Sequence, residues 1–214
     1  YDPESTRSQV KKVLGLDYEG AYMVMGFDGD PDIAALEEQK ALAICTGLGG
    51  QDVGRAPGEA WWEHRYDFYY PPLSLHLPWM YGTTETVTTY DKIEPLYWAV
   101  KRAVEEGFPE WDIKFIAHFS HWFHWGVMCY SRFIIEEPPA DAQEALQLHN
   151  RVWQAAMQAV IDNGGMINEH HGIGLKLGRY MRQQYGDAWP FMLRLKKMID
   201  PNGIMNPGKV GFGF

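Results

Sequence analysis

The sequence has little cysteine and no long hydrophobic run. Its 214 residues include two cysteines, Cys45 and Cys129, far apart in apolar stretches. Isolated cysteines of this kind are typical of small buried side chains rather than of a disulfide or a metal pair. They also fit a reducing compartment, so a cytoplasmic location is expected. No apolar run approaches the roughly eighteen residues of a membrane span, and no signal peptide is visible.

Positive charge is also scarce. The chain has 19 Lys and Arg residues and 28 Asp and Glu residues, which gives a formal net charge of −9. This balance argues against a nucleic-acid partner and against an anionic membrane surface. The basic residues near the end, among them Lys176, Arg179 and Arg182, are interpreted as the solvated face of late helices.

The chain lacks the glycine-rich motifs that bind dinucleotides or phosphates. Neither Gly-x-Gly-x-x-Gly nor Gly-x-x-x-x-Gly-Lys-Ser/Thr occurs anywhere in it. The sequence also begins at Tyr1 rather than at a methionine. We therefore expect a part of a longer protein, in which another segment would hold any nucleotide cofactor.

The order of apolar patterns predicts an α+β fold. Strand-like runs and helical periodicities alternate along the chain. Strands are predicted at 21–28, 83–90, 111–122 and 125–135, and helices from 31, at 60–68, 92–106, 140–163, 175–185 and 188–199. This order is typical of an antiparallel sheet with helices packed on one face. We divide the chain into an α+β domain, 1–165, and a C-terminal helical segment, 166–214.

Aromatic residues are abundant, and several histidines lie among them. Aromatic content is 14%, which indicates a heavy core and also suits a pocket for a flat or apolar ligand. His118, His121 and His124 recur every third residue, a helical spacing that could bind zinc. Their aromatic neighbours favour a strand, on which His118 and His124 share one face and His121 points to the other. We therefore predict that His118 and His124 line a pocket, and we predict no metal.

Two further groups are candidates for proton transfer. Tyr130 and Arg132 lie two residues apart and face one side of a strand, where a nearby cation favours the phenolate. A core tyrosine tied to a carbonyl is the alternative. Glu169, His170 and His171 come directly before Gly172 at a junction between elements, which suits a site. The alternative there is a helix N-cap with half-exposed histidines.

Charged residues within apolar stretches suggest buried pairs. Glu85 interrupts a β-branched run, and Arg65 follows two tryptophans. Because a buried charge is costly unless it is paired, we expect Glu85 to pair with Arg65 or Arg132.

Five segments in order resemble the C-terminal substrate, or cap, half of FAD-linked oxidases of the vanillyl-alcohol-oxidase superfamily. They are 57–65 (PGEAWWEHR), 84–93 (TETVTTYDKI), 118–133 (HFSHWFHWGVMCYSRF), 169–174 (EHHGIG) and 200–209 (DPNGIMNPGK). The second and third are similar to segments of alkyldihydroxyacetonephosphate synthases. The fourth has a glutamate where those synthases have a third histidine. The chain also lacks the His-Gly-x-x-Gly-Asp-Gly-Asn-x-His segment of glycolate and D-lactate oxidoreductases.

The resemblance implies a ferredoxin-like cap domain that covers a flavin. FAD would be held mainly by an N-terminal domain, either of the same protein or as a separate subunit, and a homodimer is one expected assembly. It implies an oxidoreductase acting on a small hydroxy acid, alcohol or phenol. The implied roles are acid/base chemistry for Tyr130, Arg132, His170 and His171, cofactor contact for Glu169, Asn206 and Lys209, and substrate contact for Arg65, Glu85, His118 and His124.

Three alternatives stay open at this point. One is a synthase-like transferase that uses FAD without net redox. Another is a non-catalytic binding module, if the chain is complete. A zinc hydrolase that uses the three spaced histidines is the third.

Overall fold

The computed structural model describes residues 21–66 and 78–213. The chain divides into two compact units, 1–76 and 77–214. The predicted boundary at residue 165 stays a prediction, and the residues on both sides of it belong to the second unit.

The described part of the first unit contains two helices, α1 (Pro31–Gly47) and α2 (Ala56–His64). Asp30 caps α1 as its pattern predicts, because its carboxylate accepts hydrogen bonds from the backbone of Asp32 and Ile33. The strand predicted at 21–28 is wrong, since these residues form no regular element. No other strand occurs between 21 and 66. The backbone of residues 21–28 therefore has no strand to pair with in the described part of this unit.

The second unit is built on a three-stranded antiparallel sheet. Its strands are β1 (Met80–Thr89), β2 (Ile113–Trp122) and β3 (Gly126–Ile135), in the order β1-β3-β2. Helix α3 (Tyr90–Glu105) follows β1 directly, and α4 (Ala142–Asp162) follows β3. Both helices present apolar stripes to the same face of the sheet. The α+β prediction with helices on one face is therefore confirmed.

Alternation along the strands separates the core from the opposite face. Phe115, Phe133 and Ile135 point toward the helices, where they join a buried cluster with Leu96, Val100, Val104, Val152, Ala156, Met157 and Val160. The register pairs Thr83 with Arg132, Glu85 with Tyr130, and Tyr130 with His118. Because paired residues project to the same side of a sheet, these side chains share the face away from α3 and α4, here called the open face.

The C-terminal segment is less helical than its pattern suggests. After a short 3-10 turn at 178–180 come α5 (Met181–Tyr185) and α6 (Trp189–Ile199). The predicted helix at 175–185 is reduced to these short pieces. Gly178 lies against the backbone of Gly211, where a Cβ would approach its nitrogen to 2.6 Å, and Val210 donates to the carbonyl of Gly174 at 2.8 Å. Residues 174 and 178 thus contact the tail in the region where the sequence pattern predicts one continuous helix.

Asp200 organises the turn that follows α6. The buried carboxylate accepts hydrogen bonds from the backbone of Ile204 (3.1 Å) and Met205 (3.0 Å), and Lys196 bonds it at 2.6 Å. The hydrogen bond from Lys196 is the largest influence that holds the pKa of Asp200 below its ordinary value. Among the helices of residues 21–66 and 78–213, none has the length and apolar character needed to cross a membrane.

Candidate active site

The centre of the open face is a buried carboxylate enclosed by one loop. The Glu85 side chain is 2% exposed. It accepts backbone hydrogen bonds from Glu169 (3.1 Å), His170 (2.9 Å) and His171 (2.6 Å), together with a short one from the amide of Asn168. The predicted partner Arg132 is not among these donors. Residues 168–171 therefore wrap the carboxylate rather than begin a helix, and the N-cap alternative does not describe them.

The imidazole of His170 lies between two carboxylates. Its Nδ1 is 2.5 Å from Glu85 Oε2 and 2.7 Å from Glu169 Oε2. The Glu169 carboxylate, whose pKa lies below its ordinary value, is ionised and only accepts hydrogen bonds, so Nδ1 of His170 is the donor to it. The other ring nitrogen, Nε2, is then left to accept a proton when the ring is neutral. His171 is more loosely held, with its Nδ1 3.7 Å from Glu85 Oε1.

Glu169 links His170 to a histidine of β2. His121 Nδ1 lies 3.0 Å from the same Oε2 atom that contacts His170. Partial desolvation raises the pKa of Glu169, but hydrogen bonds from His121 and His170 outweigh it and keep the pKa below the ordinary value. The prediction that His121 points away from the site is wrong. A bulge between Ser120 and Trp122 interrupts the alternation of β2, which a strict two-residue period does not reveal.

Tyr130 lies at the middle of a group of stacked rings. Its ring stacks on His118 with centroids 5.0 Å apart and contacts His171 edge-on at 5.3 Å. His170 stacks at 6.2 Å, and the Arg132 guanidinium lies 5.3 Å from the phenol centroid. The sequence prediction that Tyr130 and Arg132 share a face is confirmed, and the register adds His118 to that face.

The pKa of His118 lies below its ordinary value. Desolvation is the main cause that lowers the pKa of His118, and the positive charges of Arg132 and His121 act in the same direction. The ring is therefore neutral near neutral pH. A neutral imidazole against the Tyr130 ring can accept or donate a hydrogen bond without adding charge to the site.

A cavity of about 200 Å³ adjoins this cluster at the edge of β1. Trp153 and Met157 of α4 and Ile167 supply apolar walls, and His171 and Lys176 supply polar ones. The Lys176 ammonium lies 4.0 Å from the Trp153 ring centroid. Partial desolvation lowers the pKa of Lys176, and the nearby charge of Arg179 adds to this effect. The cavity combines an apolar pocket with one cation.

Two groups of side chains come close enough to hold a metal ion. They are Glu85, His170 and His171, and a second set of His121, Glu169 and His170. The contacts of 2.5 and 2.7 Å at His170 Nδ1 are hydrogen-bond distances. Ligands at about 2.0–2.2 Å from one tetrahedral ion lie farther apart than this. A hydrogen-bonded network accounts for the arrangement more simply.

Three of the predicted site residues lie outside the cluster, and a fourth belongs to the first unit. His124 is exposed in the turn between β2 and β3. The side chains of Asn206 and Lys209 are exposed, and within residues 78–213 no hydrogen bond, ion pair or ring contact joins any of these three to the cluster. Arg65 belongs to the first unit, where its guanidinium stacks on Trp62 at 3.7 Å and bonds the Trp62 carbonyl. Their predicted roles stay predictions.

Two residues that contribute to the cluster were not predicted from the sequence. His121 lies on the face opposite to the predicted one, and Asn168 is not among the predicted site residues. The glutamate within a β-branched strand is a signal for the Asn168 donor, because a buried carboxylate requires several donors. His121 bonds Glu169 instead, and the sequence carries no such signal for it.

The fold and the cluster together define a class of domain. An antiparallel sheet carries helices on one face and a histidine, tyrosine and carboxylate site on the other. The chain belongs to the family described as FAD linked oxidases, C-terminal domain, whose model matches residues 4–210. Members of that family are FAD-linked, which confirms the predicted cofactor at the level of the family.

Relatives with assigned names differ in their reactions. The chain is 28% identical over 220 residues to an alkyldihydroxyacetonephosphate synthase of Dictyostelium discoideum, a match that covers 97% of the chain and 35% of the relative. The Trypanosoma brucei brucei synthase is 27% identical, over 88% of the chain and 31% of the relative. A probable mitochondrial D-lactate dehydrogenase of Danio rerio is 37% identical over 73 residues, which is 34% of the chain and 14% of the relative. The chain thus spans about a third of the length of the two synthases.

Solved structures support the fold. A structure of alkyldihydroxyacetonephosphate synthase superposes with a TM-score of 0.56 and 21% identity, over 82% of this chain and 29% of that one. At this level of identity the likeness shows the architecture alone.

Proposed function

We propose that this chain forms the substrate-covering half of an FAD-dependent active site, in an oxidoreductase for a hydroxy acid, alcohol or phenol. One observation carries the proposal. His170 is held through Nδ1 by two carboxylates, beside Tyr130, on the sheet face that α3 and α4 leave uncovered. A fixed imidazole with one basic nitrogen suits the removal of a proton from a substrate hydroxyl.

The carboxylates have a defined part in this chemistry. When Nε2 of His170 takes a proton, the ring becomes an imidazolium whose charge lies against Glu85 and Glu169. The buried Glu85 keeps its position because three backbone amides bond it. The base is thereby oriented before substrate arrives, which lowers the reorganisation needed during reaction.

Tyr130 and Arg132 complete the acid/base set. The Arg132 guanidinium lies 5.3 Å from the phenol ring centroid, and the Tyr130 hydroxyl beside it can relay or donate a proton. His118, neutral and stacked on the other side of the ring, limits how far that ring can move. We assign to Tyr130 a contact with the substrate, and to Arg132 the electrostatic support of Tyr130.

The cavity at the β1 edge supports a small substrate with an apolar part. Trp153 and Met157 would receive that part, and Lys176 offers a cation for a carboxylate or another anionic group. His171 and Glu85 both line this cavity. We therefore propose that the reacting hydroxyl lies near His170 and the remainder of the substrate extends toward α4.

The open face also fits a flavin domain. His170 and His171 are 39% and 40% exposed, and no helix of residues 78–213 packs there in the manner of α3 and α4. Asn206 and Lys209 have exposed side chains available to a cofactor. FAD, when bound, supplies the acceptor for the substrate's electrons. The FAD-binding domain as partner and a cytoplasmic location are parts of this proposal.

A transferase of the alkyldihydroxyacetonephosphate synthase kind is the second candidate. The match to the Dictyostelium synthase covers 97% of the chain, whereas the match to the Danio D-lactate dehydrogenase covers 34%. The same residues could deprotonate a substrate carbon without net oxidation. Only the overall reaction separates the two candidates.

Visible absorbance of the flavin is the decisive measurement. The chain is mixed with the FAD-binding half and then, without oxygen, with 2-hydroxy acids, alcohols or phenols. Bleaching of the flavin band supports the oxidoreductase. With an acyl ester and an alcohol as added substrates, replacement of the acyloxy group by the alkoxy group, with release of the carboxylic acid and no lasting bleaching, supports the transferase. A flavin spectrum that the chain does not alter leaves a non-catalytic binding module, and bound flavin in the chain alone contradicts the proposed division of the site.

The variant His170→Asn tests the assigned base. Asparagine keeps a donor near the Nδ1 position but has no equivalent of Nε2. Turnover should fall by about 100-fold to 10,000-fold. The matched control is Glu110→Gln, on an exposed ion pair with Arg151, which should leave turnover unchanged.

A further inference from the structure

His121 has a backbone conformation that is uncommon for a residue other than glycine. Its φ is +49°, and among the described non-glycine residues only Asn206 and Val210 also have positive φ. A histidine pays a steric penalty in this left-handed region. The strained residue lies at the bulge of β2, where pairing with β3 shifts register. Such strain persists where the surrounding structure requires it.

The bulge changes the direction of one side chain. On a regular strand His121 would project opposite to His118. Instead its ring lies 5.2 Å from the ring of His170, and its Nδ1 bonds Glu169 at 3.0 Å. The conformation thus brings a hydrogen-bond donor onto the open face.

Glu169 has few other restraints. Its side chain is 20% exposed, and within the described chain its carboxylate bonds only His121 and His170. Both contacts are to Oε2. Without His121 this side chain would keep only its contact with His170, so it would be less restrained and would orient the His170 ring less firmly.

We propose that His121 is a positioning residue that fixes Glu169 and, through it, the orientation and Nδ1-protonated tautomer of His170. The inference rests on the proposed function for its catalytic meaning. The structural part of the proposal concerns only the side chains of His121, Glu169 and His170. The ionisable groups around them on the open face are Glu85, His118, Tyr130, Arg132 and His171.

Two substitutions of His121 test its hydrogen-bond donor separately from the backbone bulge of β2. His121→Gly accepts positive φ and removes the donor. His121→Asn also tolerates this region and keeps an N–H close to the Nδ1 position. Both variants should therefore fold, which far-UV circular dichroism checks. Glu169→Leu is a second route, because it removes the acceptor and leaves the bulge intact.

The readout is nuclear magnetic resonance of the full 214-residue chain. Ring ¹⁵N shifts report the tautomer of His170, and side-chain ¹³C shifts report the titration of Glu169. In His121→Gly the ratio of Nδ1-protonated to Nε2-protonated His170 should fall, by up to about the tenfold that complete loss of its charge-assisted bond to Glu169 implies. The pKa of Glu169 should rise toward its ordinary value. Glu169→Leu should reproduce the tautomer change, and His121→Asn should resemble the wild type.

Three results would overturn the proposal. The first is an unchanged His170 tautomer in both His121→Gly and Glu169→Leu. The second is a His121→Asn variant that behaves like the glycine variant. The third is a stoichiometric divalent metal ion, found by elemental analysis, that is lost with His121. None of these measurements needs flavin or substrate, so the outcome is independent of whether the proposed reaction is correct.

Discussion

Replacement of Glu85 by glutamine should strongly destabilise the second unit. The substitution keeps the size of the side chain and removes its charge. The carboxylate presents Oε1 to the amides of residues 169–171 and Oε2 to the amide and Nδ1 of His170. Glutamine has one acceptor oxygen, so its amide nitrogen would face a donor on one side.

The magnitude follows from the donors that lose a charged acceptor. A hydrogen bond to a charged group contributes about 1.5–3 kcal/mol, and an unsatisfied buried donor costs about 1–3 kcal/mol. Because Glu85 is 2% exposed, water cannot replace the lost acceptor. We expect a loss of about 3–5 kcal/mol in the free energy of unfolding, similar to the disruption of a buried charged pair. That is a large part of the roughly 5–15 kcal/mol that holds a typical domain folded.

Urea unfolding followed by circular dichroism measures this loss, and amide hydrogen exchange locates it. The amides of residues 169–171 should exchange faster in Glu85→Gln than in the wild type. Glu136→Gln is the matched control, because Glu136 is 34% exposed and pairs with Lys114 at 2.6 Å. It should cost no more than about 1 kcal/mol. A Glu85→Gln variant within about 1 kcal/mol of the wild type, with unchanged exchange at 169–171, would refute the reasoning.

Three further predictions concern packing, pH and thiol reactivity. Gly165→Ala places a Cβ 2.4 Å from Leu96 Cδ1 and should cost about 1–3 kcal/mol through overpacking, measured by thermal unfolding. The pKa of Asp200 is lowered in the folded state, so its stabilisation is complete above the ordinary carboxyl pKa of 3.8 and is lost as pH falls below it. Asp200→Asn should therefore flatten the acid side of the stability profile in urea titrations. Burial raises the pKa of Cys129 to about 12, so a thiol reagent should modify the partly exposed Cys45 in the native protein and both cysteines in denaturant.

Local patterns were sufficient for most of the second unit. The spacing of Leu96, Val100 and Val104 predicted α3, and all three residues are buried. Alternation in 126–135 placed Tyr130 and Arg132 on one face, as the register confirms. These features depend on residues near one another in sequence, where periodicity carries the information.

The remaining features depend on contacts between distant segments. Glu85 is bonded by residues more than eighty positions away, and no local pattern distinguishes that loop from a pairing with Arg132. The direction of His121 depends on a bulge that its own neighbours do not signal. The apolar run at 21–28 has strand composition, but no strand partner exists among residues 21–66. Propensity alone cannot supply a missing partner.

The alternation of the sheet has a consequence for how such a domain can diverge. The side chains of Thr83, Tyr130 and Arg132 project from the same strands as core residues such as Phe133, but to the opposite side. Substitutions on one side can therefore change the chemistry of the open face while the packing on the other side is retained. Glu85 is the exception, since it anchors the loop that carries His170 and His171. Descendants of a common ancestor could exchange nearly every reactive group on this surface and still inherit the same scaffold, provided that this one carboxylate is kept.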